Sequence, residues 1–206
     1  SLLVCDIGGG TSDFSLFRLS KAFEKELQIE RLKVSRHILL GGDNLDLKTA
    51  SLFEEAYQKE SGQKFSSKEW AGIVTASRDL KENLFSSQKE ETEKVHISFV
   101  KEGKSKNLFT SAQTLILNKE ELSQKLLESF FPIPQKNTLS KDSLTQTGLK
   151  ELGLPYAKDP AFTHHLSEFL KEENPLDAVL FVGGTLVPEV FRERILKTLA
   201  SSLTKL

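Results

Sequence analysis

The sequence predicts an α/β fold in which a helical and hairpin insertion separates two halves of a sheet. Three observations carry this. Short apolar runs alternate with stretches of 3.6-residue period, in the order strands, helices, hairpin, helices, then strand and helix. Glycine clusters stand at three strand ends: Gly8, Gly9 and Gly10; Gly41 and Gly42; Gly183 and Gly184. A chain of 206 residues with 38% hydrophobic content can also bury a core.

The elements follow in order. "SLLVCDI" is an almost continuously apolar run and "FSLFRLS" follows the first glycines, so two strands surround a glycine turn. "LQIERLKVSRHILL" (Leu27 to Leu40) alternates through Ile29, Val34 and Ile38 and reads as a third strand, ended by Gly41 and Gly42 with Asp43 or Asn44 as helix cap. Leu45, Ala50, Leu52, Phe53 and Ala56 mark an amphipathic helix to about Glu60. A second helix begins at the cap-like Ser66 or Ser67 and runs through Ile73, Leu80 and Leu84. "EKVHISFV" and "LFTSAQTLIL" form a hairpin around Gly103, and Asn118 caps a helix that Pro132 ends. Residues 132–160 carry four prolines and two glycines and read as a long irregular connection with a short helix around Leu144 to Leu152. "AFTHHLSEFLKEEN" is helical, "DAVLFV" (Asp177 to Val182) reads as a buried strand, and "VPEVFRERILKTLASSL" is a final helix.

Composition limits the function classes. Lys plus Arg number 28 and Asp plus Glu 29, so there is no general attraction to nucleic acid or to an anionic membrane. No apolar run reaches the roughly 18 residues of a membrane helix, and no signal peptide is visible. The single Cys5 excludes an internal disulfide framework and leaves the cytoplasm as the default compartment. A start inside an apolar run and the absence of methionine point to a piece of something longer.

Ligands of open α/β sheets lie outside strand ends, where bare glycine amides can approach phosphate oxygens, so the three clusters point to one nucleotide pocket. Asp6, at a strand end before the glycine turn, suits Mg²⁺ held through water or the orientation of a hydrolytic water. It equally suits a strand-end aspartate that accepts hydrogen bonds from the turn amides. Thr11 offers a hydroxyl near a terminal phosphate and Asp13 a second carboxylate, or both simply decorate the turn. Two features are set aside. "GKS" at Gly103 to Ser105 lacks the first glycine of a P-loop and lies between strands, as a hairpin turn does. His164 and His165 are adjacent, so on a helix they point about 100° apart and cannot share a metal.

"DIGGGTSDFSL", "LLGGDNLD" and "VLFVGGTLVPEV", in this order, resemble the nucleotide-binding domain of the seventy-kilodalton heat-shock (DnaK-like) chaperones. The resemblance implies an actin/hexokinase-like (ribonuclease H-like) ATPase lobe, with residues 1–44 and 175–206 as sheet subdomain, 45–131 as helical and hairpin subdomain, and 132–174 as a divergent insertion and helix. It implies the second lobe of the ATPase domain, with the first lobe and the peptide-binding domain missing from this chain. ATP or ADP with Mg²⁺ would lie between the lobes, and clients, nucleotide-exchange factors and J-type co-chaperones would be the partners. By the same resemblance Asp6 matches the aspartate near Mg²⁺ and the hydrolytic water, and Gly8, Gly9 and Gly10 the β/γ-phosphate loop. Thr11 matches the threonine beside the γ-phosphate and Asp13 the motif's second aspartate. Gly42 falls near the ribose, Lys81 on the helix that packs on adenosine, and Gly183, Gly184 and Thr185 at the adenosine site.

The chain departs from the family pattern on the base side. In "ASRDLKENLFSS", Arg78 stands where glutamate is usual, and Glu82 and Phe85 replace other polar contacts. Only Thr185, Leu186 and Val187 separate Gly184 from Pro188, so the arginine that stacks on adenine is absent. These departures and the stretch from Pro132 to Asn174 resemble the divergent bacterial members. The leading expectation is an ATP-binding lobe of a divergent chaperone whose isolated form hydrolyses little. The alternatives are a catalytically weak, nucleotide-responsive scaffold and a small-molecule kinase of the same superfamily.

Overall fold

The computed structural model describes residues 1–21, 26–86, 92–101, 112–133, 157–171 and 175–200. The chain divides into two compact units, one formed by Ser1–Gly42 with Glu128–Leu206, the other by Asp43–Leu127.

The first unit is built on a four-stranded sheet. Its strands are β1 (Leu2–Ile7), β2 (Ser12–Lys21), β3 (Leu27–Val34) and β6 (Ala178–Val182), in the order β3-β2-β1-β6. β1 pairs antiparallel with β2 and parallel with β6, with Asp6 opposite Asp13 on one side and Val182 on the other. Because strand side chains alternate faces, Leu3, Cys5 and Ile7 share one face with Phe14 and Leu16, and all five are buried. Phe14 meets Phe169 of α4 (Phe162–Phe169) there, at 5.9 Å between ring centroids. Phe131 stacks on Phe191 of α5 (Glu189–Leu199) at 4.5 Å and leans on Phe162 at 4.9 Å, extending this core. Apolar positions at i, i+4 and i+8 (Phe191, Ile195, Leu199) turn α5 inward. Lys33 donates to the Phe169 carbonyl at 2.7 Å, a cation placed where the end of α4 exposes its carbonyls.

Two strand readings need correction. The apolar run 177–182 suggested a buried strand, yet β6 alternates between exposed and half-buried, with Leu180 and Val182 open, because it is the edge of the described sheet. The third strand, expected to run from Leu27 to Leu40, ends as β3 at Val34, and beyond it Ile38 returns only as a single bridge to Ser12; β3 is also an edge strand, with Leu27, Ile29 and Val34 exposed. An apolar run specifies a strand without saying how many neighbours cover it.

The second unit holds most of α1 (Gly42–Ser61), all of α2 (Ser67–Leu84), the hairpin β4 (Lys94–Val100) with β5 (Ala112–Asn118), and the first part of α3 (Lys119–Phe130). α2 starts with a full capping box. The Ser66 hydroxyl accepts from the Glu69 N–H, and the Glu69 carboxylate accepts from the Ser66 N–H at 2.8 Å. Asn118 caps α3 through the Glu121 N–H at 2.9 Å. Strict alternation buries Val95, Ile97 and Phe99 of β4, and Phe99 stands edge-on to the stacked pair Tyr57 and Phe65. The turn around Gly103 and the short helix expected near Leu144 to Leu152 lie outside the described residues. No described helix is long and apolar enough to cross a membrane.

Candidate functional site

The reversal between β1 and β2 is closed by the Gly8 N–H donating to the Thr11 carbonyl at 2.9 Å. The other two glycine clusters come to it. Gly42 donates its N–H to the Gly8 carbonyl at 3.0 Å, and the Thr185 hydroxyl donates to the same carbonyl at 2.7 Å, so both lone pairs of one oxygen are used. A Cβ on Gly41 would lie 2.3 Å from the Gly9 oxygen, and one on Gly183 would lie 2.2 Å from the Ile7 oxygen. Gly183 also sits at φ 92°, which L side chains rarely adopt. Glycine at 41 and 183 is therefore set by backbone packed on backbone. Ser12 adds a tie, its buried hydroxyl donating to the Leu40 carbonyl at 2.6 Å.

The structure thus gathers Gly8, Gly9, Gly41, Gly42, Gly183 and Thr185 around one strand end. Gly9 and Gly10 are exposed at its tip, with Thr11 half-buried behind them. Gly184 opens a 3-10 turn, Gly184–Leu186, and has open space where a Cβ would stand. Arg192 donates to the carbonyls of Leu186 and Val187, fixing the segment that leads into Pro188.

Asp6 is exposed and its carboxylate makes no hydrogen bond or ion pair among the described residues, so the turn amides do not satisfy it. Asp13, directly opposite Asp6 in the β1–β2 register, is engaged differently. Both of its oxygens lie at 2.9 and 3.0 Å from Nδ1 of His37. Register explains the meeting. Ser12 and Ile38 form an antiparallel bridge, and Ser35 is bonded to Phe14 through both its N–H and its hydroxyl, so His37 comes to stand beside Asp13. Sequence reasoning missed His37, since nothing in its neighbours fixes that register.

In the second unit, Lys81 is held by Asp46, its ammonium 2.6 Å from the buried carboxylate. Arg78 donates to the same Asp46 at 3.2 Å and to Asp43 at 3.0 Å. The hydrogen bond and charge of Asp46, with the charge of Asp43, raise the Arg78 guanidinium above its ordinary pKa. Asp43 and Asp46 stand one helical turn apart on α1, as Arg78 and Lys81 do on α2, and two acids facing two bases at that spacing was a legible signal left unread. Asp46→Ala should lower stability by about 1–3 kcal/mol in urea unfolding, since it leaves the half-buried Lys81 ammonium without its closest anion. Arg78→Ala should cost under about 1 kcal/mol, because that side chain is mostly exposed.

Other chemistry is quiet. Burial pushes the Cys5 thiol up to about 12, which keeps it protonated and unreactive. His164 and His165 both turn to Asp159, one to its carboxylate and one to its carbonyl, each at 2.9 Å. No group of three or more metal-ligating side chains occurs among the described residues.

Comparison with protein-family models matches residues 1–155 to the family described as Hsp70 protein.

Proposed function

The chain belongs to the Hsp70 family of nucleotide-binding chaperones, and from that premise we propose that it is the second, ATP-binding lobe of a divergent, bacterial-type member whose cleft an opposing lobe completes. The family has the actin/hexokinase-like ATPase fold and binds ATP and ADP, generally with Mg²⁺. In our reading residues 1–44 and 175–206 serve as the sheet subdomain, 45–131 as the helical and hairpin subdomain, and 132–174 as a family-divergent insertion.

The observation that supports this best is the Gly8 carbonyl, bonded at once by Gly42 and Thr185. Those bonds tie the three glycine segments together and leave Gly9 and Gly10 exposed at the tip, where bare backbone can meet the oxygens of a β- or γ-phosphate. Neither residue has the positive φ that would by itself demand glycine. Asp6 fits a magnesium role on its own chemistry: it is an exposed carboxylate with no partner among the described residues, suited to a cation that keeps most of its waters. A bound Mg²⁺ would supply charge neutralisation at the terminal phosphates. Asp6 would hold it and orient the attacking water, Thr11 would stand beside the γ-phosphate, and Asp13 would stand opposite Asp6 as the second carboxylate of the reversal. Gly42, Gly183, Gly184 and Thr185 would face the nucleoside end.

Calorimetry of the full-length polypeptide with Mg·ATP tests this reading. Binding is the expected result. The isolated chain should hydrolyse ATP far more slowly than the parent, because catalysis rests on groups from both walls of the cleft. Turnover at the parent's rate would refute the lobe assignment. Absence of binding heat would favour a second reading, a catalytically weak scaffold that contacts partners. Two observations motivate it: Lys81 is engaged by Asp46, and the segment between Gly184 and Pro188 carries no arginine. In either case we place the protein in the cytoplasm, working with unfolded clients and with exchange or J-type co-chaperones.

A further inference from the structure

Asp6 and Asp13 occupy directly opposed positions of an antiparallel pair, with Cα atoms about 4.5–5.5 Å apart and both side chains on the sheet face away from the core. Like charges so placed repel. β2 lies between β1 and the segment that holds His37, so the bond to His37 draws the Asp13 carboxylate to the side of β2 away from Asp6. A carboxylate only accepts, so Nδ1 of His37 carries the hydrogen that it shares between the two Asp13 oxygens. Asp6 keeps no such partner among the described residues. The two carboxylates beside the Gly8–Gly10 reversal are therefore unequal: one is tied back, the other is free.

We propose that His37 is a positioning residue of this site, which holds Asp13 clear of Asp6 so that a Mg²⁺–polyphosphate complex at the glycine reversal meets one unengaged carboxylate instead of two. The proposal rests on the nucleotide reading given above. His37 touches neither phosphate nor metal in this role; it acts through Asp13.

The test uses the full-length polypeptide and Mg·ADP, with affinity read by calorimetry in the absence of turnover. An exposed pair of this kind contributes little, so His37→Ala should weaken Mg·ADP binding by only about 1.5- to 5-fold. His37→Asn should restore wild-type affinity, because its amide nitrogen can stand where Nδ1 stands. His37→Gln, whose amide reaches the Nε2 position, should behave like alanine. In an Asp13→Asn background, His37→Ala should have no further effect, which separates positioning through Asp13 from any general role. Nitrogen-15 NMR of the nucleotide-free protein supplies a second readout, since hydrogen on Nδ1 should be lost as the preferred form when Asp13 becomes Ala and no acceptor remains there. His37 is largely exposed, and its variants should unfold at the wild-type urea midpoint. Wild-type affinity in His37→Ala, or an undiminished loss in the Asp13→Asn background, overturns the proposal while leaving nucleotide binding intact. Absence of Mg·ADP binding by the wild-type protein instead overturns the nucleotide reading, and this proposal with it.

Discussion

Gly183→Ala is expected to destabilise the sheet unit by about 3–5 kcal/mol, enough to unfold a domain of ordinary marginal stability. Two costs add. An L residue at φ 92° pays about 1–3 kcal/mol of backbone strain. The new methyl would also lie 2.2 Å from the Ile7 oxygen and 2.9 Å from Oδ1 of Asp6, and the nearer neighbour is backbone at the end of β1, an interior strand of the sheet, which cannot swing aside as a side chain can. Relief requires the 183–185 segment to lift, and that breaks the 2.7 Å bond from Thr185 to Gly8. Gly184→Ala is the control: open space surrounds its Cβ position, so its stability should change by less than about 1 kcal/mol. Urea unfolding of the two variants decides the matter, and equal midpoints would show that the close approach of strand ends is not what position 183 requires.

The same comparison shows what was legible in the sequence. Turn and cap chemistry is local: of the two serines the sequence offers, Ser66 is the cap, its partner Glu69 three residues away, and Asn118 caps α3 as expected. Two of the glycine clusters, Gly8 to Gly10 and Gly183 with Gly184, were legible as strand-end features, and the second reaches Gly8 through the parallel pairing of β6 with β1; Gly41 and Gly42 stand instead at the start of α1, several residues past the end of β3. Burial was less legible. Leu180 and Ile29 look like core residues in a sequence, but whether a strand has a neighbour on each side is a property of topology. His37 was hidden for a related reason. Its meeting with Asp13 depends on a shift between the Ser15–Val34 pairing and the Ser12–Ile38 bridge, and no local pattern announces such a shift. Asp46 was overlooked because a helical acid reads as solvated, whereas this one is buried between two cations of α2.

Asp6→Asn in the full-length polypeptide is expected to lower kcat for ATP hydrolysis by about 10²-fold or more, the range in which a positioned acid or base acts, with the unfolding midpoint unchanged. The separation of activity from stability is the informative part. A strand-end aspartate that fastened its own turn would cost stability when replaced, as the loss of a capping side chain does. Asp6 fastens nothing among the described residues; the reversal is closed by the Gly8 to Thr11 bond, and Gly42 and Thr185 hold it from either side. Asparagine keeps the size of the side chain beside Gly183, so no new contact is introduced there. Removal of one negative charge should leave nucleotide affinity without Mg²⁺ equal or slightly improved, because a polyanion then approaches a less acidic strand end. With Mg²⁺ the affinity should fall, since the variant has lost the one unengaged carboxylate of the reversal. A kcat within about threefold of wild type would assign Asp6 no part in hydrolysis, and a lowered unfolding midpoint would return it to the turn.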